Sequence, residues 1–177
     1  MKALVLLSGG LDSATVLAML RGQVKAAVGF DYGQPHRIEL EYAHDLADRE
    51  GIDFFLERIP FISKVDDVVF AARNAVLISN AASIALSHGC DAVAIGCNAS
   101  DWERFPDCRP AFINAMAAVL EAYGVHLLAP VLRMSKAEVV AKAKELNVGP
   151  TWSCYSPIDN HPCGECLACK TRAAAGA

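Results

Sequence analysis

Four cysteines near the C-terminal end form the densest group of reactive side chains in this 177-residue chain. Cys154, Cys163, Cys166 and Cys169 fall within 16 residues. Two residues separate Cys163 from Cys166, and two more separate Cys166 from Cys169. Four thiolates at this spacing suit one tetrahedral Zn²⁺ ion, and closed sites of this kind are usually structural. An iron–sulfur cluster is the rival assignment, although the ferredoxin pattern would place a further cysteine before a proline, which is lacking here. Free thiols are the third possibility.

The hexapeptide Ser8-Gly9-Gly10-Leu11-Asp12-Ser13 is a second chemical motif, placed between an apolar run and a helical segment. Its glycines let the backbone turn tightly, and amides at a helix start attract an anion. Ser8 and Ser13 add hydroxyl donors. Asp12 would repel a bare phosphate and therefore suits a Mg²⁺ ion carried on that phosphate. Because the loop lacks both the Walker A ending and the dinucleotide fingerprint, we expect a different kind of phosphate-binding loop.

Two longer polar segments also follow apolar runs, at residues 31–37 and 96–109. The second concentrates carboxylates, arginines, aromatics and Cys108, whereas Cys90 and Cys97 resemble small buried residues beside a strand. An aromatic face and a carboxylate could hold a planar heterocycle, and an arginine could pair with a carboxylate substituent. For residues 31–37, a capped polar loop without a ligand is an equal alternative.

Apolar runs of strand length alternate with helical patterns along most of the chain. We predict strands at 2–7, 24–30, 53–59, 91–96 and 125–131. We predict helices at 11–20, 36–50, 73–88, 111–123 and 136–146. The pattern of residues 60–72 is ambiguous between helix, strand and loop. This alternation indicates an α/β fold with a doubly wound parallel sheet. Ligands of such sheets bind beyond the carboxyl ends of the strands, where the polar segments begin. We expect Ser135 to cap the last of these helices.

Composition narrows the class of protein. With 54% hydrophobic and 20% charged residues, the chain is neither disordered nor a coiled coil. A net charge of −4 argues against general nucleic-acid binding, and no apolar stretch approaches the length of a membrane span. We therefore expect a cytoplasmic protein, with Arg133, Lys136, Lys142 and Lys144 as ordinary solvated charges. The predicted organisation is a nucleotide-binding domain (1–149), a zinc-binding segment (150–172) and a disordered tail (173–177).

The hexapeptide matches the signature of the PP-loop ATP pyrophosphatase superfamily, and other motifs resemble the 7-cyano-7-deazaguanine synthase family within it. These motifs lie in order at residues 30–34, 73–74, 96–98, 105–110, 135–138 and 151–155, followed by the three later cysteines. The resemblance extends from Leu4 to about Arg172. Between Glu57 and Arg73, however, the chain is shorter than most members of that family.

This resemblance implies a Rossmann-like PP-loop fold and an ATP-dependent ligase that converts 7-carboxy-7-deazaguanine and ammonia into the nitrile. It also implies Mg²⁺, one structural Zn²⁺ per chain and a homodimer, without nucleic acid or membrane. The implied catalytic residues are Ser8, Asp12 and Ser13. The implied ATP-binding residues are Leu7, Ser8, Gly9, Gly10, Leu11, Asp12, Ser13, Ala14, Thr15, Val16, Leu17 and Asp31. The implied substrate-binding residues are Tyr32, Gln34, His36, Arg37, Arg73, Asn74, Asn98, Asp101, Asp107 and Arg109.

Two other functions remain as alternatives. One is a PP-loop enzyme that acts on another carboxylate or amide, or on tRNA. The other is a nucleotide-binding module without catalytic activity. Retention of Ser8, Asp12 and Ser13 favours an enzyme, because a regulatory remnant would tolerate their loss.

Overall fold

Among the residues that the structure describes, the apolar runs form five strands of one parallel sheet. A computed structural model describes residues 1–59 and 72–176 of the chain. The strands are β1 (Ala3–Leu6), β2 (Val24–Asp31), β3 (Asp53–Arg58), β4 (Ala92–Ala94) and β5 (His126–Leu128). The helices are α1 (Leu11–Met19), α2 (Glu39–Glu50), α3 (Arg73–Ser87), α4 (Pro110–Glu121), α5 (Lys136–Glu145) and α6 (Leu167–Ala174). Short 3₁₀ turns at Ala99–Asp101 and Pro106–Cys108 interrupt the loop after β4.

The sheet has the order β3-β2-β1-β4-β5, and every pair is parallel. The chain therefore moves outward from β1 in one direction and then returns to add β4 and β5 on the other side. This reversal places the topological switch point between β1 and β4, where ligands of open α/β sheets bind. The predicted doubly wound parallel sheet is confirmed.

Two apolar layers cover the two faces of the sheet, which explains why its central strands are apolar on both sides. One layer includes Ile78 of α3 and Leu120 of α4, and the other includes Val16 of α1, Leu46 of α2 and Val139 of α5. All four residues of β1 are buried. The loops at the carboxyl ends of the strands are thus supported by a sheet whose two faces are both covered by packed helices.

The predicted strands and helices agree with the structure apart from their ends. The helix predicted to begin at His36 begins at Glu39, because the hydrogen bonds from Glu39 N to His36 O and from Leu40 N to Arg37 O form tighter turns first. The capping box at the start of α5 is present, with Ser135 and Glu138 bonded reciprocally. Most of the unassigned segment 60–72 lies outside the described residues.

The segment 173–177, for which we predict a disordered tail, continues helix α6 at its start in the structure. Helix α6 includes Ala173 and Ala174, and Ala175 packs against the core layer. Lys144 Nζ donates a hydrogen bond to Gly176 O at 2.7 Å. Alanine favours helix, which agrees with the extension of α6 into this segment. Ala177 lies outside the described residues.

Candidate active-site cleft and metal centre

The glycine-rich loop turns directly from β1 into α1 at the switch point. Gly9 has a φ of 80°, and a Cβ there would lie 2.0 Å from the carbonyl oxygen of Glu39. Only glycine satisfies both the left-handed backbone and this contact with α2. Gly10 is the N-cap of α1 and provides no side-chain cap, so the first amides of the helix are available to an anion.

The two serines of this loop face each other. Ser8 Oγ and Ser13 Oγ are 3.2 Å apart, and Ser13 Oγ donates to Gly10 O at 3.0 Å. Across the switch point, a Cβ on Gly96 would lie 2.7 Å from Ser13 N. The end of β4 therefore packs directly on the loop and brings residues 96–109 beside it.

Asp12 is the centre of a polar network that joins three elements. Lys136 Nζ donates to both of its carboxylate oxygens, at 2.8 and 2.9 Å. Asn98 Nδ2 donates to Asp12 Oδ2 at 3.1 Å and to Asp101 Oδ2 at 2.8 Å. Burial raises the pKa of Asp101, and the negative charge of Asp12 raises it further. The phosphate loop, the loop after β4 and the start of α5 thus share one charged cluster.

The interpretation of Lys136 as a solvated charge is wrong. Its side chain is 19% exposed, pairs with Asp12 and lines the cleft described below. In contrast, Lys142 pairs with exposed Glu145 on the same helix. A signal was available, because Lys136 follows β5 and so lies near the same edge of the sheet as the other strand-end loops.

A cleft of about 580 Å³ opens at this edge, a volume typical of small-molecule sites. Of the implied site residues, it is lined by Leu7, Ser8, Gly10, Leu11, Asp12, Ser13, Tyr32, Arg73, Asn74 and Asp101. Residues that were not assigned to the site from the sequence also line it: Glu39, Lys136, Trp152 and Tyr155. The phosphate loop and the start of α3 therefore share one cavity.

Arg73 and Glu39 give one wall of the cleft its charge. Arg73 Nη1 donates to the hydroxyl of Tyr32 at 3.4 Å, and its Nε has no hydrogen-bond partner among the described residues. Burial raises the pKa of Glu39 to about 7, although the hydrogen bond from Gln34 and the charge of Arg73 oppose the shift. Burial also lowers the pKa of His36 to about 4, and Arg73 adds to that effect.

Several implied substrate residues instead bond to the protein itself. Gln34 is buried and bridges the backbone of Phe30 and Tyr32. Arg37 donates to Asp31 Oδ2 at 2.6 Å. These contacts brace the loop after β2.

His36, Asn98, Asp107 and Arg109 are likewise engaged within the protein. The His36 ring lies 5.5 Å from that of Tyr155. Arg109 Nε donates to Trp102 O at 2.7 Å, and Asp107 bonds to Asn74. The implied ATP-binding residues Gly9, Ala14, Thr15, Val16 and Leu17 belong to the loop and to α1, where Ala14 to Leu17 are buried.

Replacement of Glu39 by glutamine should remove a pH-dependent loss of stability. Because its folded-state pKa is raised from 4.5 to about 7, the stability contributed by protonated Glu39 is present below pH 4.5 and lost as the pH rises through 7. The difference in unfolding free energy between Glu39→Gln and wild type should therefore shift by about 3 kcal/mol in favour of the variant as the pH rises from acid to mildly alkaline. Urea titrations test this, with exposed Asp48→Asn on α2 as the control. A pH-independent difference would contradict it.

The four clustered cysteines converge as predicted. Their sulfur atoms all lie within 4.8 Å of one another, an arrangement that can hold a metal ion. Cys163 N donates to the Cys154 sulfur at 3.2 Å, and Cys166 N donates to the Cys163 sulfur at 3.3 Å. Gly164 has a φ of 74°, which allows the sharp turn between two of the ligands.

The cysteine cluster also secures a wall of the cleft. Trp152 N donates to Gly9 O at 2.9 Å and thereby ties the segment before Cys154 to the phosphate loop. Arg172 Nη1, from α6, donates to Thr151 O at 2.9 Å. Trp152, Tyr155 and Arg172 all line the cleft. A metal bound by the cysteines would therefore stabilise one side of the candidate active site.

No helix among residues 1–59 and 72–176 combines the length and the hydrophobicity needed to cross a membrane.

Solved structures with the same fold act on different molecules. The U34-tRNA thiolase NcsA from Methanococcus maripaludis, solved with its [4Fe-4S] cluster, superposes with a TM-score of 0.65 at 17% identity, covering 99% of this chain and 64% of that one. NMN synthetase from Francisella tularensis gives a TM-score of 0.61 at 15% identity, covering 92% and 70%. At these identities the likeness shows the fold alone, and the Rossmann-like PP-loop fold is confirmed.

Sequence comparison is more specific. The family model named "Queuosine biosynthesis protein QueC" matches this chain at residues 2–71 and 63–176. The 7-cyano-7-deazaguanine synthase of Leptospira interrogans is 33% identical over 204 residues, covering 97% of this chain and 84% of that one. The synthase of Thermoplasma acidophilum is 35% identical over 204 residues, covering 97% and 85%.

Both alignments are longer than the chain, so these relatives contain residues that it lacks. The two matches to the family model overlap at residues 63–71. Because the family model matches both parts of the chain and these relatives align with nearly all of it, the chain belongs to the QueC family of queuosine biosynthesis proteins.

Proposed function

We propose that this protein is an ATP-dependent ligase that converts 7-carboxy-7-deazaguanine and ammonia into 7-cyano-7-deazaguanine. The synthases that it resembles are named for this product. One observation carries the proposal: a single cleft holds an anion-binding loop with Asp12 and, on another wall, an arginine whose Nε lacks a partner among the described residues. ATP and a carboxylate substrate can therefore meet there.

In the proposed reaction, a carboxylate oxygen of the substrate attacks the α-phosphorus of ATP, and pyrophosphate leaves. Ammonia attacks the carbonyl carbon of the resulting acyl-adenylate, AMP and a proton depart, and the amide forms. The amide oxygen then attacks the α-phosphorus of a second ATP, and pyrophosphate leaves. Loss of AMP, which carries away the amide oxygen, and of both N–H protons gives the nitrile. Both activations need an oxygen held in line with ATP, so positioning and charge stabilisation account for catalysis.

The proposed roles follow from position. The amides of α1, with Ser8 and Ser13, hold the phosphates of ATP. Arg73 pairs with the substrate carboxylate, since a guanidinium binds such a group through two hydrogen bonds. The partly exposed Asp12 carboxylate is an oxygen donor suited to Mg²⁺, which would neutralise phosphate charge when bound. Tyr32, Asn98 and Asp101 belong to the proposed binding surface for the heterocycle.

The metal held by the four cysteines is proposed to be one Zn²⁺ per chain in a structural role. Free ammonia as the nitrogen donor and a homodimer complete the proposal on the basis of the family resemblance. The composition adds a cytoplasmic location. A reaction on tRNA is not favoured, because the sequence relatives are synthases of a small molecule and the tRNA enzyme shares only the fold.

The type of ATP cleavage tests the proposal. The protein is incubated with ATP, Mg²⁺, ammonia and 7-carboxy-7-deazaguanine, and phosphorus NMR identifies the products. We expect AMP and pyrophosphate, formed only when the carboxylate substrate is present. Release of ADP and phosphate, or cleavage that does not depend on the carboxylate, would reject adenylation.

Removal of the Lys136 charge should greatly slow turnover and leave the protein folded. Lys136 pairs with Asp12 in the free protein, and we infer that it stabilises phosphate charge once Mg²⁺ occupies Asp12. Lys136→Met should lower kcat by about a hundredfold or more, the usual effect of losing a charge-stabilising group. Lys142→Met on the exposed face of α5 is the matched control and should keep full activity. Equal rates for the two variants would contradict the assignment.

A further inference from the structure

Helix α3 receives no side-chain hydrogen bond from its own N-cap residue. Its N-cap residue is Ala72, which has a φ of 57° and no side chain able to accept a hydrogen bond. Arg73 and Asn74 are the first two residues of the helix, so their amides cannot bond within it and need another acceptor. The position that presents Arg73 to the cleft therefore depends on something outside the helix.

Asp107, in the loop after β4, supplies the missing cap. Its Oδ2 accepts a hydrogen bond from Asn74 N at 2.9 Å, and Asn74 Nδ2 donates to Asp107 O at 3.0 Å. The two residues thus form a reciprocal pair that resembles a capping box built from two separate segments. Asn74 is buried, and its Nδ2 also lies 3.5 Å from the Cys108 sulfur and 3.7 Å from the Cys97 sulfur.

We propose that Asp107 is a positioning residue, which caps α3 from a neighbouring loop and so holds Arg73 towards the carboxylate of the substrate. The proposal rests on the proposed function and deepens it. Although sequence resemblance implied that Asp107 binds substrate, it does not line the cleft, whereas Arg73 does. A free carboxylate beside a carboxylate substrate would also repel it, while one at a helix N-terminus is compensated by the helix dipole.

The same loop is fixed at its other end to the ATP side of the cleft. Asn98 donates to Asp12, and Lys136 N donates to Ser100 Oγ at 3.0 Å. Residues 98–107 therefore connect the phosphate loop and α5 to the start of α3. Through Asp107, this connection fixes the distance between the group that holds ATP and the guanidinium that holds the second substrate.

Three variants separate capping from direct binding. Asp107→Ala removes the acceptor, whereas Asp107→Asn removes the charge but keeps an oxygen that caps a helix equally well. Asp91→Ala is the matched control, because Asp91 also accepts a backbone N–H, from Lys2, at the opposite end of the strands. We expect Asp107→Ala to raise the KM for the carboxylate substrate about tenfold to a hundredfold, with the KM for ATP nearly unchanged. Asp107→Asn and Asp91→Ala should stay near wild type.

A second measurement reports the cap without substrate. Amide hydrogen exchange at Asn74 should be faster in Asp107→Ala than in wild type and unchanged in Asp91→Ala. Loss of carboxylate affinity in Asp107→Asn as severe as in Asp107→Ala would show direct charge recognition and overturn the proposal. Unchanged exchange in Asp107→Ala would overturn the cap itself. Failure of the wild-type protein to bind or turn over the carboxylate would reject the proposed function. The exchange measurement needs no substrate, so it still tests the cap in that case.

Discussion

Asp12→Asn should abolish turnover and leave the fold intact. The substitution keeps the shape of the side chain but removes the charge that faces Lys136 and that is proposed to hold Mg²⁺ on ATP. We expect kcat to fall by about a thousandfold or more, because both activation steps depend on charge stabilisation at the phosphates. Unfolding free energy should fall by only about 1 kcal/mol, since the Asp12–Lys136 pair is partly exposed to solvent.

Steady-state rates and urea titrations on the same samples measure both effects. Asp48→Asn, on the exposed surface of α2, makes the same chemical change away from the cleft and should behave as wild type. Retained turnover in Asp12→Asn would remove Asp12 from the mechanism. A collapse of stability would show that the residue has a structural role instead.

Cys166→Ser should release the metal and destabilise the protein strongly. Serine cannot replace a thiolate ligand, and the binding energy of a structural metal is part of the folding energy. We expect the wild type to contain one zinc ion per chain and the variant to contain almost none, with a large fall in Tm. Because α6 and the segment that contacts Gly9 adjoin the cluster, affinity for ATP should fall too.

Metal analysis and thermal unfolding measure these effects, with Cys90→Ala as the control because Cys90 lies outside the cluster. Iron in place of zinc would correct the identity of the metal. A variant that keeps both its metal content and its Tm would disprove the role of Cys166 as a ligand.

The sheet could be predicted because its signal is local and strong. The segments that became β1 and β2 are almost continuously apolar, which is the pattern of strands buried on both faces. The rule that ligands bind at strand ends then located the phosphate loop and Asp101 in one cleft. Helix α6 was missed, because a run of only eight residues with cysteine, alanine and lysine has little periodicity.

Individual contacts of the site were harder to predict than its place. Gln34 and Arg37 resembled ligand-binding residues, but they satisfy the backbone and charge of their own loop. Tyr155 lies in a family motif but was not assigned to the site, since it reaches the cleft only through the fold of the cysteine segment. Glu39 looked like an ordinary first-turn acid, and neither its burial nor the nearby charge of Arg73 is visible in the sequence. The types and spacing of residues indicate which chemistry a segment can support, whereas the hydrogen-bond and charge partners of each side chain depend on the tertiary structure.

The mass of the product tests the central claim most directly. The wild-type protein is incubated with ATP, Mg²⁺, ammonia and 7-carboxy-7-deazaguanine, and the deazaguanine is followed by mass spectrometry. A ligase of the proposed kind converts the carboxylate first into the amide and then into the nitrile. Consumption of ATP with neither the amide nor the nitrile formed would contradict the proposed function and leave only the fold and the family membership.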